Sequence, residues 1–296
     1  MASVQDYKRR IRSVRNTRKI TRAMELVAAA KLRRAQSRIE AMRPYADTMR
    51  ELIAGVGRAA GSVRGLPLLE QRETTATTLL VPLSGDRGLA GAFNAQVMRR
   101  AFAVDRTLTA EGQAVRWLAV GKKGRSTLTF RRRTLDGTFT GFTDAPAYAD
   151  AQAIAHRAAE LFVEGEVDRV VLVYNTFVSA LTQTVTEQEI LPISADILET
   201  DEEERRDDAL RGDFIFEPEP EEILERLLPV YVETQIYRAL LESSASEQGA
   251  RMTAMRNASK NAGELIDRLT LEMNRARQAE ITQEILEVVA GADALA

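Results

Sequence analysis

Residues 80–94 read LVPLSGDRGLAGAFN, and this stretch decides the fold of the central part of the chain. An apolar run ends at Ser84, glycines follow at positions 85, 88 and 91, and a helical pattern begins directly afterwards. A strand, a glycine-rich turn and a helix in this order start a βαβ unit in many α/β proteins. The same arrangement often binds phosphate, because the N–H groups of a helix N-terminus point at the turn. The stretch therefore predicts an α/β fold and raises the question of a nucleotide site.

The spacing of these glycines fits neither of the two common phosphate-binding motifs. They stand at every third position, whereas the dinucleotide fingerprint is G-x-G-x-x-G with an acid after the second strand. The second predicted strand runs into Lys122 and Lys123, and no Gly-Lys pair is followed by Ser or Thr. We therefore predict a tight structural turn without a cofactor, in which Asp86 and Arg87 pair locally. An NAD- or ATP-dependent enzyme, which would bind phosphate at 85–91, stays open as an alternative.

Further strands and helices alternate on the C-terminal side of this turn. Strands are predicted at 74–84, 114–121 and 167–177, with an alternating edge strand at 182–193. Helices are predicted at 91–108 and 150–165, while residues 122–149 show no clear pattern. This alternation indicates βαβ units and a mostly parallel sheet. We therefore predict a central Rossmann-like α/β domain at 74–198.

Long amphipathic helices are predicted at both ends of the chain. In the N-terminal helix, assigned to 1–60, one heptad frame contains Val4, Tyr7, Ile11 and Val14 and then resumes at Ala28. The frame is interrupted by Arg18, Thr21 and Glu25, and there Ile20, Met24 and Val27 carry the apolar stripe on a shifted face.

The C-terminal segment, 214–296, has a similar stripe, and Pro229 is expected to begin a new helix or a kink. The stripe consists of Met252, Met255, Ala262, Ile266, Leu269, Met273 and Ala276. The sequence therefore predicts an α/β protein in which the two ends form a long antiparallel two-helix coiled coil.

The composition limits the possible functions. The chain has no cysteine and one histidine, His156, so thiolate metal sites and most histidine-based catalysis are excluded. No serine-hydrolase or zinc-hydrolase motif is present, so we predict no catalytic and no metal-binding residues. Residues 8–38 contain twelve Lys or Arg and one acid, which could bind nucleic acid, an anionic membrane surface or an acidic protein; a protein partner or plain solvation is favoured. A basic coiled-coil nucleic-acid binder stays open, although no aromatic residues accompany the basic ones.

The sequence also predicts one loop and no membrane-spanning segment. The acidic segment 199–213 is predicted to be a solvated loop, since its composition cannot bury apolar surface. No run of 18 apolar residues occurs, so no direct membrane insertion is expected.

Both ends of the chain carry distinctive sequences. They are TRKITRAMELVAAAKLRRAQ at 17–36 with MRPYADTM at 42–49, and SEQGARMTAMRNASKNAGELI at 246–266 with ARQAEITQEILEVVAGADAL at 276–295. Together with SGDRGLAGAFN, these segments resemble the gamma subunit of F-type ATP synthases. The resemblance covers almost the whole chain in the order found in that family, and the acidic 199–213 segment departs from it.

The resemblance implies a central-stalk rotor subunit that is not itself catalytic. In that family the coiled coil enters a hexamer of alpha and beta subunits, and the α/β domain contacts the epsilon subunit and the membrane ring of proton-carrying c subunits. The resemblance implies one copy of the chain per complex, located on the cytoplasmic side of a bacterial cell membrane. It also implies that the chain does not bind nucleic acid. Rotation would couple proton flow to ATP synthesis or hydrolysis on other chains.

The resemblance also implies residues that contact the hexamer. The contacts transferred from the family fall on Met24, Arg251, Arg277, Gln278 and Thr282. The apolar C-terminal end, with Ile285, Val288 and Val289, is implied to lie in an apolar collar of the hexamer.

Overall fold

The computed structural model describes residues 3–60, 65–72, 74–198 and 217–293. Its helices are α1 (Val4–Ala60), α2 (Phe93–Ala110), α3 (Lys122–Phe130), α4 (Tyr148–Val163) and α5 (Pro220–Asp293). Its strands are β1 (Thr77–Pro82), β2 (Ala114–Val120), β3 (Gly137–Phe139), β4 (Arg169–Phe177) and β5 (Gln183–Leu191). Short 3-10 turns lie at Pro67–Leu69 and Ala195–Leu198. The acidic segment predicted at 199–213 lies outside the described residues.

The five strands form one sheet in the order β3-β2-β1-β4-β5. The pairs among β1, β2, β3 and β4 are parallel, and β5 pairs antiparallel with β4 at the edge. The order 3-2-1-4 is that of the Rossmann half-unit, in which right-handed crossovers place helices on both faces. The predicted Rossmann-like sheet with an alternating edge strand is confirmed.

The segment without a clear sequence pattern, 122–149, contains α3 and β3. α3 has the sequence KKGRSTLTF, and only Gly124 and Leu128 in it are buried. β3 has three residues and no fully buried side chain. Elements this short bury too few residues to show a hydrophobic period.

The chain forms two compact units. The helix-pair unit consists of Met1–Ala29 and Arg251–Ala296, and the sheet unit consists of Ala30–Ala250. The division falls inside α1 and inside α5, whereas the sequence suggested boundaries near residues 60 and 214. Both long helices therefore contribute residues to both units.

In the sheet unit, the two faces of the sheet bury separate apolar clusters. Leu79 and Val81 of β1 lie in the larger cluster, with α4 and with the α1 and α5 segments of this unit, whereas Leu80 lies in the smaller one with α2. The α1 and α5 segments contribute residues such as Ile53 and Ile236, both fully buried. This part of the predicted coiled-coil stripe therefore packs in the core of the sheet unit.

In the helix-pair unit, the segments of α1 and α5 run antiparallel. Ile11 shares a buried cluster with Ile266 and Leu269, while Glu25, further along α1, bonds to Arg256, further back along α5. The predicted antiparallel pairing of the two chain ends is confirmed for these residues. The seam is narrow, as expected for a pair of helices that bury one stripe each.

Two local predictions about these helices need correction. Of the two alternatives for Pro229, a new helix is wrong, since α5 begins at Pro220 and continues through Pro229, while a kink there stays a prediction. The helix seam does not shift at residues 18–25: Thr21 and Glu25 are buried, while Ile20 and Val27 are 60% and 56% exposed. The original heptad frame therefore continues with polar side chains in it, because an ion-paired glutamate can occupy a seam position.

Candidate functional site

The glycine-rich turn is closed by hydrogen bonds within the chain. Ser84 Oγ donates to the carbonyl of Val120 (2.7 Å) and accepts from the N–H of Gly124 (2.7 Å). Gly121 lies so close to Ser84 that a Cβ there would be 2.0 Å from the Ser84 carbonyl oxygen, and its φ is 85°. Only glycine fits such a backbone approach at a positive φ. β1 and β2 are therefore joined tightly just beyond their C-terminal ends.

The Asp86 carboxylate occupies the position at the α3 N-terminus where a phosphate would otherwise be expected. It accepts hydrogen bonds from the N–H groups of Lys122 (3.0 Å), Gly141 (2.8 Å) and Thr143 (3.2 Å), and from the Thr143 hydroxyl (3.0 Å). The predicted Asp86–Arg87 pair is wrong, because the backbone N–H groups of two loops hold this carboxylate instead. An acid at a helix N-terminus also interacts favourably with the helix dipole.

The remaining N–H groups at the start of α3 also have partners. Lys123 donates its N–H to the carbonyl of Gly85 (3.1 Å), and Arg125 donates to that of Gly121 (3.1 Å). With Lys122 bonded to Asp86, the first N–H groups of α3 are all bonded within the chain. The start of α3, which lies beside the turn, therefore has no free N–H donor for a phosphate, because the chain's own oxygens accept from all four of its first N–H groups.

Helix α5 covers the carboxyl ends of the strands. Its serine hydroxyls donate to the carbonyls of Leu83 (from Ser243, 3.5 Å) and Asn175 (from Ser246, 3.1 Å). Ligands of open α/β sheets bind in the crevice outside the carboxyl ends of the strands. Here a helix of the same chain lies at that edge, which supports the structural interpretation of the turn.

Two substitutions test this close packing. A Cβ at Gly85 would lie 2.8 Å from the carboxyl group of Glu247, which is buried, whereas a Cβ at Gly88 would meet only the Lys123 side chain at 3.8 Å. Gly85→Ala should therefore lower the free energy of unfolding by about 1–2 kcal/mol. Gly88→Ala, the matched control, should be close to neutral in thermal unfolding. Equal effects at the two positions would contradict this account of the turn.

The candidate partner surface lies in the helix-pair unit. Met24 is half-buried and Arg251 is buried, at 8% exposure. Arg277, Gln278 and Thr282 are all exposed. The Thr282 hydroxyl donates to the carbonyl of Gln278 (2.9 Å), a local bond inside the helix. Of these five predicted contact residues, all except Arg251 therefore have a substantial part of the side chain accessible.

The C-terminal end of α5 is apolar and exposed. Ile285, Val288 and Val289 are 58%, 72% and 52% exposed, and Ile281 and Leu286 are similarly accessible. No residue in 281–290 is buried, and the stretch contains no Lys or Arg. A contiguous exposed apolar surface of this kind marks an interaction site.

A triad of charged residues around the buried Glu25 lies at the seam of the helix-pair unit and was not recognised from the sequence as a bonded site. Glu25 is 5% exposed and accepts hydrogen bonds from Arg22 Nη1 (2.7 Å) and Arg256 Nε (3.1 Å). Burial by itself would raise the pKa of Glu25, but the bonds from Arg256 and Arg22 outweigh it, and the pKa is lowered. The signal in the sequence was the glutamate in a seam position, whose partner on α5 is distant in the chain.

Helix α1 adds exposed apolar residues to the candidate partner surface. Ile20, Leu26 and Val27 are each more than half exposed, next to the basic residues of the same helix.

In the ranges that the structure describes, no three acidic or histidine side chains converge on a point that could hold a metal ion. In the same ranges, no helix combines the length and apolarity needed to cross a membrane.

These features define a class of protein. A Rossmann-like sheet has its ligand edge covered by its own helix, and the apolar and charged surface available to partners lies on long terminal helices. Such a chain belongs among α/β proteins whose long terminal helices present accessible apolar surface of the kind used for contact with other chains.

Comparisons with known proteins identify the family. A family model described as ATP synthase matches residues 3–295. The chain is 46% identical to the ATP synthase gamma chain of Rubrobacter xylanophilus over 296 residues, covering 100% of this chain and 99% of that one. It is also 46% identical to the ATP synthase gamma chain of Moorella thermoacetica, covering 100% of both chains. The chain belongs to the ATP synthase gamma chain family.

Solved structures agree with this assignment. A chain of the Tetrahymena thermophila mitochondrial ATP synthase central stalk and c-ring is 32% identical, with a TM-score of 0.58, and the match covers 81% of this chain and 99% of that one. A chain of the Euglena gracilis mitochondrial ATP synthase, in a structure of OSCP, F1 and c-ring, has a TM-score of 0.68 and covers 99% and 94%. At 20% identity the second match supports the fold alone.

Proposed function

We propose that this chain is the central-stalk rotor subunit of an F-type ATP synthase. Its rotation couples proton flow through a membrane ring of c subunits to ATP synthesis or hydrolysis at a hexamer of alpha and beta subunits. The observation that carries the proposal is α5, a single helix from Pro220 to Asp293 that begins in the core of the sheet unit and ends in an exposed apolar stretch. A rotor needs such a continuous element, because torque applied at one end must reach the other.

Different regions of the chain contact different partners in this proposal. The proposed shaft consists of 1–60 and 214–296, and the proposed foot is the α/β region 74–198, with the 199–213 segment as a loop of unassigned role. The shaft contacts the alpha and beta subunits through Met24, Arg251, Arg277, Gln278 and Thr282. The apolar residues Ile285, Val288 and Val289 lie in an apolar collar of the hexamer. The foot contacts the epsilon subunit and the c-ring.

The chain itself is non-catalytic in this proposal, and nucleotides bind to other subunits. The bonds of this region support this, because the N–H groups of Gly85 and Asp86 donate to Asn94 Oδ1 and Thr143 Oγ1, and the first N–H groups of α3 donate to other oxygens of the chain. The chain binds no cofactor and no nucleic acid, and one copy acts in each complex. It is peripheral to a bacterial cell membrane, on the cytoplasmic side.

Reconstitution tests the proposal directly. The purified chain is mixed with the alpha and beta subunits of the same organism, and the complex is isolated by size. We expect a complex with one copy of the chain and ATPase activity well above that of the alpha and beta subunits alone. Absence of a complex, or a complex whose ATPase activity does not depend on this chain, would contradict the proposal.

Two further measurements separate the alternatives. Equilibrium binding of ATP and NAD to the isolated chain should give no saturable signal, and micromolar binding would favour the enzyme alternative. Binding to DNA or RNA that weakens steeply with salt would favour a nucleic-acid binder.

A further inference from the structure

The loop between β3 and α4 bonds to both long helices through one residue, Asp144. Its carboxylate pairs with the ammonium group of Lys31 on α1 and accepts a hydrogen bond from Gln248 Nε2 on α5 (2.7 Å). Its carbonyl accepts a hydrogen bond from the hydroxyl of Ser244, also on α5 (3.2 Å). All four residues belong to the sheet unit, so the loop is bonded to the α1 and α5 segments of that unit.

The same loop is held on the sheet side by Asp86. The N–H groups of Gly141 and Thr143, just before Asp144, donate to the Asp86 carboxylate, which follows β1. Asp86 also accepts from the N–H of Lys122 at the start of α3. A continuous set of hydrogen bonds therefore leads from the end of β1, through this loop, to α1 and α5.

Apolar packing makes up much of the remaining contact between the long helices and the sheet. Ile53 of α1 and Val232 and Ile236 of α5 lie in the larger apolar cluster of the sheet unit. Apolar burial resists separation, but it is non-directional and resists sliding or turning of a helix weakly. Charge-assisted hydrogen bonds depend on distance and angle, so they resist such displacements directly.

Helix α5 also makes hydrogen bonds of its own within the sheet unit. Ser243 and Ser246 donate to carbonyls at the carboxyl ends of β1 and β4, Glu233 accepts from Tyr148 of α4, and Gln235 accepts from Gln188 of β5. What distinguishes Asp144 is that it bonds to α1 and α5 together.

We propose that Asp144 is a positioning residue that carries torque between the sheet and the two long helices. The inference rests on the proposed rotary function. Asp144 is suited to this role because it bonds to α1 and α5 at once, so that neither helix can slide along the sheet without breaking a directional bond. The glycine-rich turn then has a mechanical task, since its Asp86 fixes the loop that carries Asp144.

The experiment measures rotation under load in the assembled complex. The chain has no cysteine, so Glu111→Cys at the exposed end of α2 gives one attachment point for a bead on the sheet unit. The alpha and beta subunits are fixed to a surface, and ATP-driven rotation is recorded with a small and with a large bead. Asp144→Ala is compared with Asp136→Ala, which removes a half-buried aspartate paired with Arg116 inside the sheet unit.

With the small bead, we expect both variants to rotate at the wild-type rate. With the large bead, we expect Asp144→Ala to lose rotation or slow markedly, whereas Asp136→Ala keeps the wild-type torque. Exchange of the charges in Lys31→Asp with Asp144→Lys should restore part of the lost torque, since the ion pair is then reversed. Wild-type torque in Asp144→Ala would overturn the proposal.

A second variant distinguishes a folding defect from a loss of torque transmission. If Asp144→Ala does not assemble, Asp144→Asn keeps the shape and one acceptor, and the same load comparison applies. Failure of both variants to assemble, while Asp136→Ala assembles, would show a role in folding alone and would overturn the proposal. If the wild-type chain itself drives no rotation, the proposed function fails, which is a different outcome.

Discussion

Complexes that carry Arg277→Ala together with Gln278→Ala should assemble normally but hydrolyse ATP about tenfold more slowly, a loss of about 1.4 kcal/mol of transition-state stabilisation. Both side chains are exposed on α5 in the helix-pair unit. In the proposed function they form angle-dependent polar contacts with a beta subunit. A guanidinium bonded to a buried carboxylate is costly to remove, because the partner charge is left uncompensated.

Truncation after Thr282 should have the opposite effect, which is to impair assembly more than turnover. It removes Ile285, Val288 and Val289, which are all exposed in the isolated chain. Hydrophobic and dispersion contacts vary little with the angle of rotation, so they hold a turning tip without creating angular energy wells. We therefore expect the truncation to reduce the yield of complex more than the turnover of complexes that form.

The measurement is ATPase rate and proton pumping per assembled complex for both variants. Arg275→Ala with Gln283→Ala is the matched control, because it removes the same residue types from exposed positions of the same helix. We expect the control to behave like the wild type. The division of roles is wrong if truncation abolishes turnover in intact complexes while the Arg277 and Gln278 substitutions change nothing.

Most helices and strands could be predicted from the sequence because their patterns are local. The stripe that includes Ile11, Ile266 and Leu269 has the helical period, and β4 is a continuous apolar run. α3 could not be predicted, since it contains Gly124 and buries only one large side chain, Leu128. Its position depends on Ser84 and Asp86, which precede it by some 40 residues in the chain.

The site was predictable only in part, for a related reason. The apolar, cation-free end of α5 and the basic residues of α1 are visible as composition. The bonds of Asp86, of Asp144 and of Glu25 with Arg256 join residues between 36 and 231 positions apart, which no local pattern encodes. Of these three residues, only Glu25 interrupted a sequence pattern, and only the fold shows which residues all three bond to.

Removal of both arginines around Glu25, by Arg22→Ala with Arg256→Ala, should destabilise the helix-pair unit by about 3 kcal/mol at pH 7. Glu25 is 5% exposed, so it would become a buried carboxylate without its two charged donors. Glu25→Leu is the matched comparison. It places an apolar residue in a seam position, and replacing a buried ion by an apolar side chain is often neutral or stabilising. Its arginines, each more than half exposed, can turn to solvent.

The wild type and the double arginine variant should respond to acid in opposite directions. The pKa of Glu25 is lowered in the folded wild type, so its contribution to stability is present above its unfolded value of 4.5 and is lost as the pH falls below it. Without the arginines, burial remains as the main influence and raises the pKa, so protonation on acidification relieves the destabilisation of the double variant. Hydrogen exchange of the amides in 10–29 at pH 7 and near pH 4 measures this unit separately from the sheet unit. If the double variant were as well protected as Glu25→Leu at pH 7, the triad would not hold the helix pair together.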